Sequence, residues 1–292
     1  MRVMRRLREL PQGIFAAGAS LPVLPKTDAE RTMKKLLLSL AITAGFAGSA
    51  LAADMAPRTP IYKAPPPMVH SWTGCYIAAG GGYGMYNVEH SERSTTTGVG
   101  VTINETAGGR GWLATGQVGC DYQFNDRWVV GAFGDFDWSN FRGDYGTALG
   151  GVTPLIGTMK QTWAWGAGAR VGYLVTPSLL TYFSGGFTQA HYDAVGLNFV
   201  NGAPTGVQLD AQTFNGFFLG SGVEYAVDYL PGLFWKTEAR SSYFQRKDVI
   251  PTCVGVAPNG CTAIGATLGV TESRQPTVYT VRSELVYRFN WH

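Results

Sequence analysis

Charge is scarce in this chain. Asp, Glu, Lys and Arg together make up 15% of its 292 residues, against roughly 25% in soluble domains. The formal net charge of +3 supplies no basic stripe, which argues against a nucleic-acid partner. Beyond residue 52 no run of 18 apolar residues occurs, so the mature part has no transmembrane helix. Histidine is limited to His70, His90, His191 and His292. His191-Tyr192-Asp193 has no matching nucleophile, so no catalytic residue is assigned and the chain reads as a non-enzyme. The C-x7-C spacing of Cys253 and Cys261 is too wide for a zinc knuckle and has no histidine nearby. "GAGARVG" lies within a strand pattern, not between strand and helix. No metal or cofactor is expected. What is abundant is glycine, 39 residues, and aromatics, 13%, a composition that suits closely packed β-structure.

The N-terminal region reads as an address. From Met33, "MKKLLLSLAITAGFAGSALA" has Lys34 and Lys35, then an apolar run, then the small-x-small site Ala50-Leu51-Ala52. That is a secretory signal peptide over 33–52. Residues 1–32 are basic and lack an apolar run, and read as an extension before the true start. Residues 53–71 form a proline-rich periplasmic leader. A single domain then runs over 72–292.

That domain has a strand rhythm. In "VYTVRSELVYRFNWH", Tyr279, Val281, Ser283, Leu285, Tyr287, Phe289 and Trp291 alternate with Thr280, Arg282, Glu284, Val286, Arg288 and Asn290. Successive side chains of a strand point to opposite faces. Eight such stretches are expected, at about 74–87, 111–124, 127–140, 161–175, 179–192, 211–227, 233–246 and 277–291. Each is longer than an ordinary strand and long enough to cross a bilayer at a tilt. Three connections are tight, around 125–126, 177 and 231–232. Four are long, at roughly 88–110, 141–160, 193–210 and 247–276. Loops sorted by length onto two sides are the pattern of outer-membrane barrels. The expected fold is therefore all-β, an eight-stranded antiparallel up-and-down transmembrane β-barrel. Its competitor is a soluble lipocalin-type barrel, with the two faces exchanged.

In the membrane reading the apolar set faces lipid. Trp163, Trp165, Ala167, Ala169, Val171 and Tyr173 point out, and so do Trp235, Thr237, Ala239 and Tyr243. In 179–192 the pattern is mixed, and Leu180 and Tyr182 are placed outward. All eight tryptophans, Trp72 included, are expected near strand ends, as in an interfacial girdle. The inward set carries Asp121, Asp135, Asp137, Glu224, Glu238 and Glu284, with Arg170, Lys236, Arg240, Arg282 and Arg288. An eight-stranded lumen is just wide enough for side chains to fill. These charges are therefore expected to pair into a plug, with a narrow ion-selective pore as the alternative. Four cysteines allow three pairings. Register favours Cys75–Cys120 on neighbouring strands, and the shared last loop favours Cys253–Cys261. Free thiols are the other reading.

"SWTGCYIAAGGGYG" after a proline-rich leader, "TGQVGCDYQF", "GARVGYLVTPSLLTYFSGG" and the terminal "VYRFNW" resemble the alpha-proteobacterial outer-membrane β-barrel family. These are small opacity-type or porin-like surface antigens akin to the OmpA-like transmembrane domain. The resemblance covers about Trp72 to Trp291. It implies a location in the outer membrane and outer-membrane lipids as neighbours. It also implies recognition by the barrel-assembly machinery through Tyr287, Phe289 and Trp291, from which the trailing His292 departs. The function it implies is a structural surface protein with at most weak, narrow-pore activity. The alternatives are adhesion or ligand binding through the long external loops and, from a third class, a lipid enzyme.

Overall fold

A computed structural model describes residues 70–148, 154–258 and 260–289; the expected extension, signal peptide and most of the leader lie outside them. Twelve strands follow in order: β1 (Gly74–Ser94), β2 (Glu105–Phe124), β3 (Trp128–Thr147), β4 (Leu155–Thr176), β5 (Leu179–Tyr192), β6 (Val195–Phe199), β7 (Pro204–Leu209), β8 (Gln212–Ala226), β9 (Leu233–Phe244), β10 (Lys247–Val249), β11 (Thr252–Cys253) and β12 (Val270–Phe289). Eight of them close a ring. Each of β1 to β4 pairs antiparallel with the next, β5 pairs β8, β8 pairs β9, β9 pairs β12, and β12 returns to β1. Closure leaves no sheet edge, which is what a bilayer without hydrogen-bonding solvent demands.

Local chemistry explains the turns and the seam. Asn125 and Asp126 adopt φ of 51° and 58°, the left-handed region that Asn and Asp tolerate better than most side chains, within the three-residue turn between the paired Phe124 and Trp128. At the seam, Gly80 and Gly82 let β1 lie close against β12. A Cβ on Gly80 would sit 2.0 Å from the Ser283 carbonyl oxygen, and one on Gly82 2.1 Å from that of Val281. Only glycine permits such an approach.

The strands are longer than expected on the external side. β1 runs on to Ser94, β2 begins at Glu105 and β3 continues to Thr147, so much of what reads as long loop is hairpin. The ring changes character at one level. Register shifts fall between Trp138 and Phe141 on β3 and between Gln161 and Trp163 on β4. The chain leaves the ladder at 193–194, 210–211 and 245–246. Beyond that level β6 pairs β4 and β7, β11 pairs β7, and β10 pairs β12, which builds an external extension.

The facing of side chains decides between lipid and water. On β12, Tyr279, Val281, Leu285, Tyr287 and Phe289 are exposed, while Arg282, Glu284, Val286 and Arg288 are buried. Trp128 and Trp138 mark two levels ten residues apart on β3, about 33 Å of strand and about 25 Å of height at a barrel's tilt. Trp235, Tyr173 and Tyr122 accompany the lower level, and Trp112, Trp163 and Trp165 the upper. Between the levels no Asp, Glu, Lys or Arg of the eight strands points outward. That height equals the apolar band of an outer-membrane barrel. The upper tryptophans sit within their strands and not at the ends, because the strands continue past the membrane.

Two assignments are corrected. Leu180 and Tyr182 are 0% and 3% exposed and point inward, while Phe183, at 72%, faces out. Both faces of β5 carry aromatics, so its alternation is silent, and pairing with β4 and β8 sets the phase. Trp72 is 0% exposed and lies under the barrel mouth, outside the girdle. Its indole Nε1 donates to the Pro177 carbonyl at 3.1 Å, and its ring packs on Phe234 at 4.8 Å.

Arginine placed at mid-height on the outer face costs about 2–4 kcal/mol. Val118→Arg is expected to lose that much in denaturant titrations of protein folded into lipid vesicles. Val256→Arg on the external loop is expected to change stability little.

Candidate functional site

The lumen holds a charged layer between two apolar clusters. On the periplasmic side Trp72, Tyr76, Val129, Phe133, Leu174, Leu180, Tyr182, Phe218, Phe234 and Val286 pack together, with the two alanines Ala78 and Ala226 closing the gaps. On the external side Tyr86, Val88, Leu113, Phe141, Tyr145, Met159, Tyr192 and Phe214 form a cluster that continues into β6, β7 and the last loop. Beside the charges expected there, much of the inner wall is aromatic. The reason is visible in the contacts. Arg240 lies 3.9 Å from the Phe218 ring centroid, Arg170 4.8 Å from Tyr76 and 5.0 Å from Tyr182, and Arg288 5.0 Å from Phe234. Planar guanidinium stacks on aromatic faces where water is absent. Alternation alone gives no signal for those partners.

All eleven charged side chains assigned to the lumen are buried and meet in two groups. In the lower, Arg170 donates from Nε to Asp121 at 2.9 Å and from Nη1 to Glu224 at 2.9 Å. Arg288 bonds the same two carboxylates at 2.6 and 2.7 Å, and also the Trp72 carbonyl at 3.0 Å. Two guanidiniums thus face two carboxylates. In the upper, Arg240 grips Asp135 with both terminal nitrogens at 3.0 and 2.9 Å and donates from Nε to Glu238 at 2.9 Å. Arg282 reaches Asp137 at 3.1 Å and Glu238 at 2.8 Å. Lys236 pairs with Glu284 and donates to Gln117. The Tyr182 hydroxyl donates to Glu238 at 3.0 Å and that of Tyr76 to Gln117 at 3.2 Å. Every strand of the ring contributes a side chain. Two-pronged arginine–carboxylate pairing is the geometry that satisfies charges removed from water.

Little space remains. A cavity of about 20 Å³ lies beside Asp135, Asp137, Ser139, Gln161, Thr188 and Arg240, room for about one water. The cysteines form two disulfides. Cys75 and Cys120 are direct cross-strand partners on the outer face of β1 and β2. Cys253–Cys261 closes a loop in the external cluster, where Cys261 N donates to the Thr205 carbonyl at 2.9 Å. Tyr287 and Phe289 are exposed neighbours at the end of β12; Trp291 lies outside the described residues. His191 lies flat on Trp163 at 5.2 Å and contacts Thr213 Oγ1 at 2.9 Å, with Asp193 at 3.9 Å.

A closed antiparallel ring whose outer face is uncharged between two aromatic levels, and whose charges are folded inside, is a β-barrel of the outer membrane. Comparison with known proteins gives its kinship. A family model described as the autotransporter beta-domain matches residues 67–230. The 31 kDa outer-membrane immunogenic proteins of Brucella melitensis biotype 1 and Brucella suis biovar 1 are each 30% identical over 201 residues, covering 67% of this chain and 82% of theirs. The chain belongs to the autotransporter beta-domain family, in the group of outer-membrane surface barrels that includes these immunogenic proteins. The crystal structure of the outer membrane protein OprG from Pseudomonas aeruginosa shares the fold, with a TM-score of 0.52 at 14% identity, over 76% of this chain and 100% of that one.

Arg282 is fully buried against Asp135, Asp137 and Glu238. Arg282→Met strands those carboxylates and is expected to cost about 3–5 kcal/mol, read as a lower urea midpoint in detergent. Tyr83→Phe, on the outer face, is the control expected to leave the midpoint in place.

Proposed function

We propose that this protein is a sealed surface barrel, a structural element of the envelope that holds its external hairpins above the membrane and conducts little or nothing. The observation that carries this reading is the lumen. Paired charges drawn from β2, β3, β4, β8, β9 and β12 cross it, aromatic clusters lie above and below, and the cavity beside Asp135 and Arg240 admits about one water. Passage of a hydrated ion requires several of those pairs to break at once. Outward Tyr287 and Phe289, at the end of the strand that closes the ring, support recognition by the barrel-assembly machinery during insertion.

A second reading, binding of an external ligand, is favoured by the extension. Its disulfide-closed loop is anchored on β7, yet Ile103, Val256 and Ile264 project from the hairpins at 80%, 68% and 73% exposure. Grafting 88–110 and 247–276 onto an unrelated eight-stranded barrel tests it. Binding that travels with the loops supports it.

Planar-bilayer recording tests the sealed lumen. Wild type is expected to show no steady unit conductance. Paired truncation of Arg240 and Arg282 to Ala, which empties the upper layer, is expected to open ion-sized events. A steady wild-type channel overturns the reading.

A further inference from the structure

The first charges above the upper tryptophan level are not scattered. On β2 the outward charge next above Trp112 is Arg110; above Trp138 on β3 it is Arg142, beyond the uncharged Asn140; above Trp163 on β4 it is Lys160. Register makes these three direct neighbours, since Arg110 is the cross-strand partner of Arg142, and Arg142 of Lys160. Both arginines are exposed and Lys160 is half-buried. Their direction is fixed by the flanking residues. A Cβ on Gly109 would strike the Tyr86 ring inside the barrel, Phe141 and Met159 are buried inside, and so Arg110, Arg142 and Lys160 point away from the lumen.

Three like charges directly opposed on adjacent strands repel one another. The protein compensates only part of this. Lys160 reaches Asp193 at 3.8 Å. Arg142 donates from Nε to Asn140 Oδ1, a neutral acceptor, at 2.9 Å. Among the described residues no carboxylate lies within ion-pair reach of Arg110 or Arg142, and Asp144, the next outward residue on β3, pairs with neither. The three cations span about 10 Å across the sheet, at the height where a bilayer presents headgroups and where the aromatic belt ends.

We propose that Arg110, Arg142 and Lys160 form a binding site for the phosphate of an anionic lipid headgroup in the outer leaflet. Guanidinium pairs match phosphate oxygens bidentately, and Lys adds a point charge. The site faces along the membrane surface, so the phosphate arrives on a lipid whose chains lie against the uncharged outer wall below, over Gly116, Gly134 and Ala167 between Val118 and Trp165, where a shallow groove of about 630 Å³ runs. This inference needs the membrane location alone and stands independently of whether the lumen conducts.

The test uses the full chain in dodecylmaltoside, with the change in total tryptophan fluorescence, to which Trp112, Trp138 and Trp163 beside the site contribute, reporting binding and heat-modifiable gel mobility confirming the fold. The probes are diphosphoryl lipid A, dioleoylglycerol and inorganic phosphate. Wild type is expected to bind lipid A at least tenfold more tightly than Arg110→Gln/Arg142→Gln, with a steep loss of affinity as salt rises. The single variant Arg142→Gln is expected to fall between them, and serves if the double variant does not fold. Arg93→Gln/Arg246→Gln, with exposed arginines elsewhere, is expected to match wild type. Without lipid, relief of repulsion is expected to leave the double variant at least as heat-stable as wild type; with lipid A, wild type becomes the more stable. Equal lipid A affinity in wild type and both site variants overturns the proposal. So does binding of dioleoylglycerol as tight as that of lipid A, or binding of inorganic phosphate as tight, which would make the site one for a free anion.

Discussion

Of the charged side chains buried among the described residues, eleven form the layer inside a tube too narrow for bulk water, and Glu92, Glu272 and Arg274 are buried beyond it. That constraint shapes the rest of the structure. A charge removed from water is costly unless it is paired and hydrogen-bonded. Here each guanidinium finds carboxylates on other strands, as Arg288 does with Asp121 on β2 and Glu224 on β8. The pairs tie together strands that are not neighbours in the ladder, so the ring is braced across its interior as well as around its wall. The aromatic rings follow from the same need, because a guanidinium has two faces that no carboxylate covers.

The outer wall answers the opposite demand. Lipid offers no hydrogen bonds, so the backbone must pair fully and the side chains must be apolar. An eight-stranded ring meets both conditions at small cost in residues. Where the lipid ends, the rules change abruptly. The ladder shifts register on β3 and β4, strand is interrupted between β5 and β6 and between β9 and β10, and charge returns to the outer face with Arg110, Arg142 and Lys160. Above that level the hairpins have water around them and can build a core of their own. The cluster from Tyr86 and Phe141 to Val207, Cys253 and Cys261 is that core, and it closes the barrel from outside as Trp72 closes it from the periplasm.

Much of this was legible from residue order. Strict alternation on β9 and β12 identifies their two faces, because a period of two admits no other strand geometry. Where alternation weakens, as around Tyr182, the two faces carry the same residue types and only pairing with β4 and β8 sets the phase. The external hairpins also extend further than their composition indicates. Their Gly, Thr and Ser composition resembles loop, and only pairing with a neighbour makes 88–94 or 141–147 a strand.

Sequence by itself determined that the chain alternates through eight crossings, that its charges share one face, and that its tight turns lie on one side. These are local properties, carried by dihedral preference and side-chain polarity within a dozen residues. Tertiary structure alone decided which carboxylate meets which guanidinium, that Trp72 lies beneath the mouth, and that three cations from three strands stand side by side. Each of those depends on strand register and ring closure. Ring closure and the pairings across the lumen rest on contacts between residues far apart in sequence, such as Arg288 with Trp72, which no local pattern encodes.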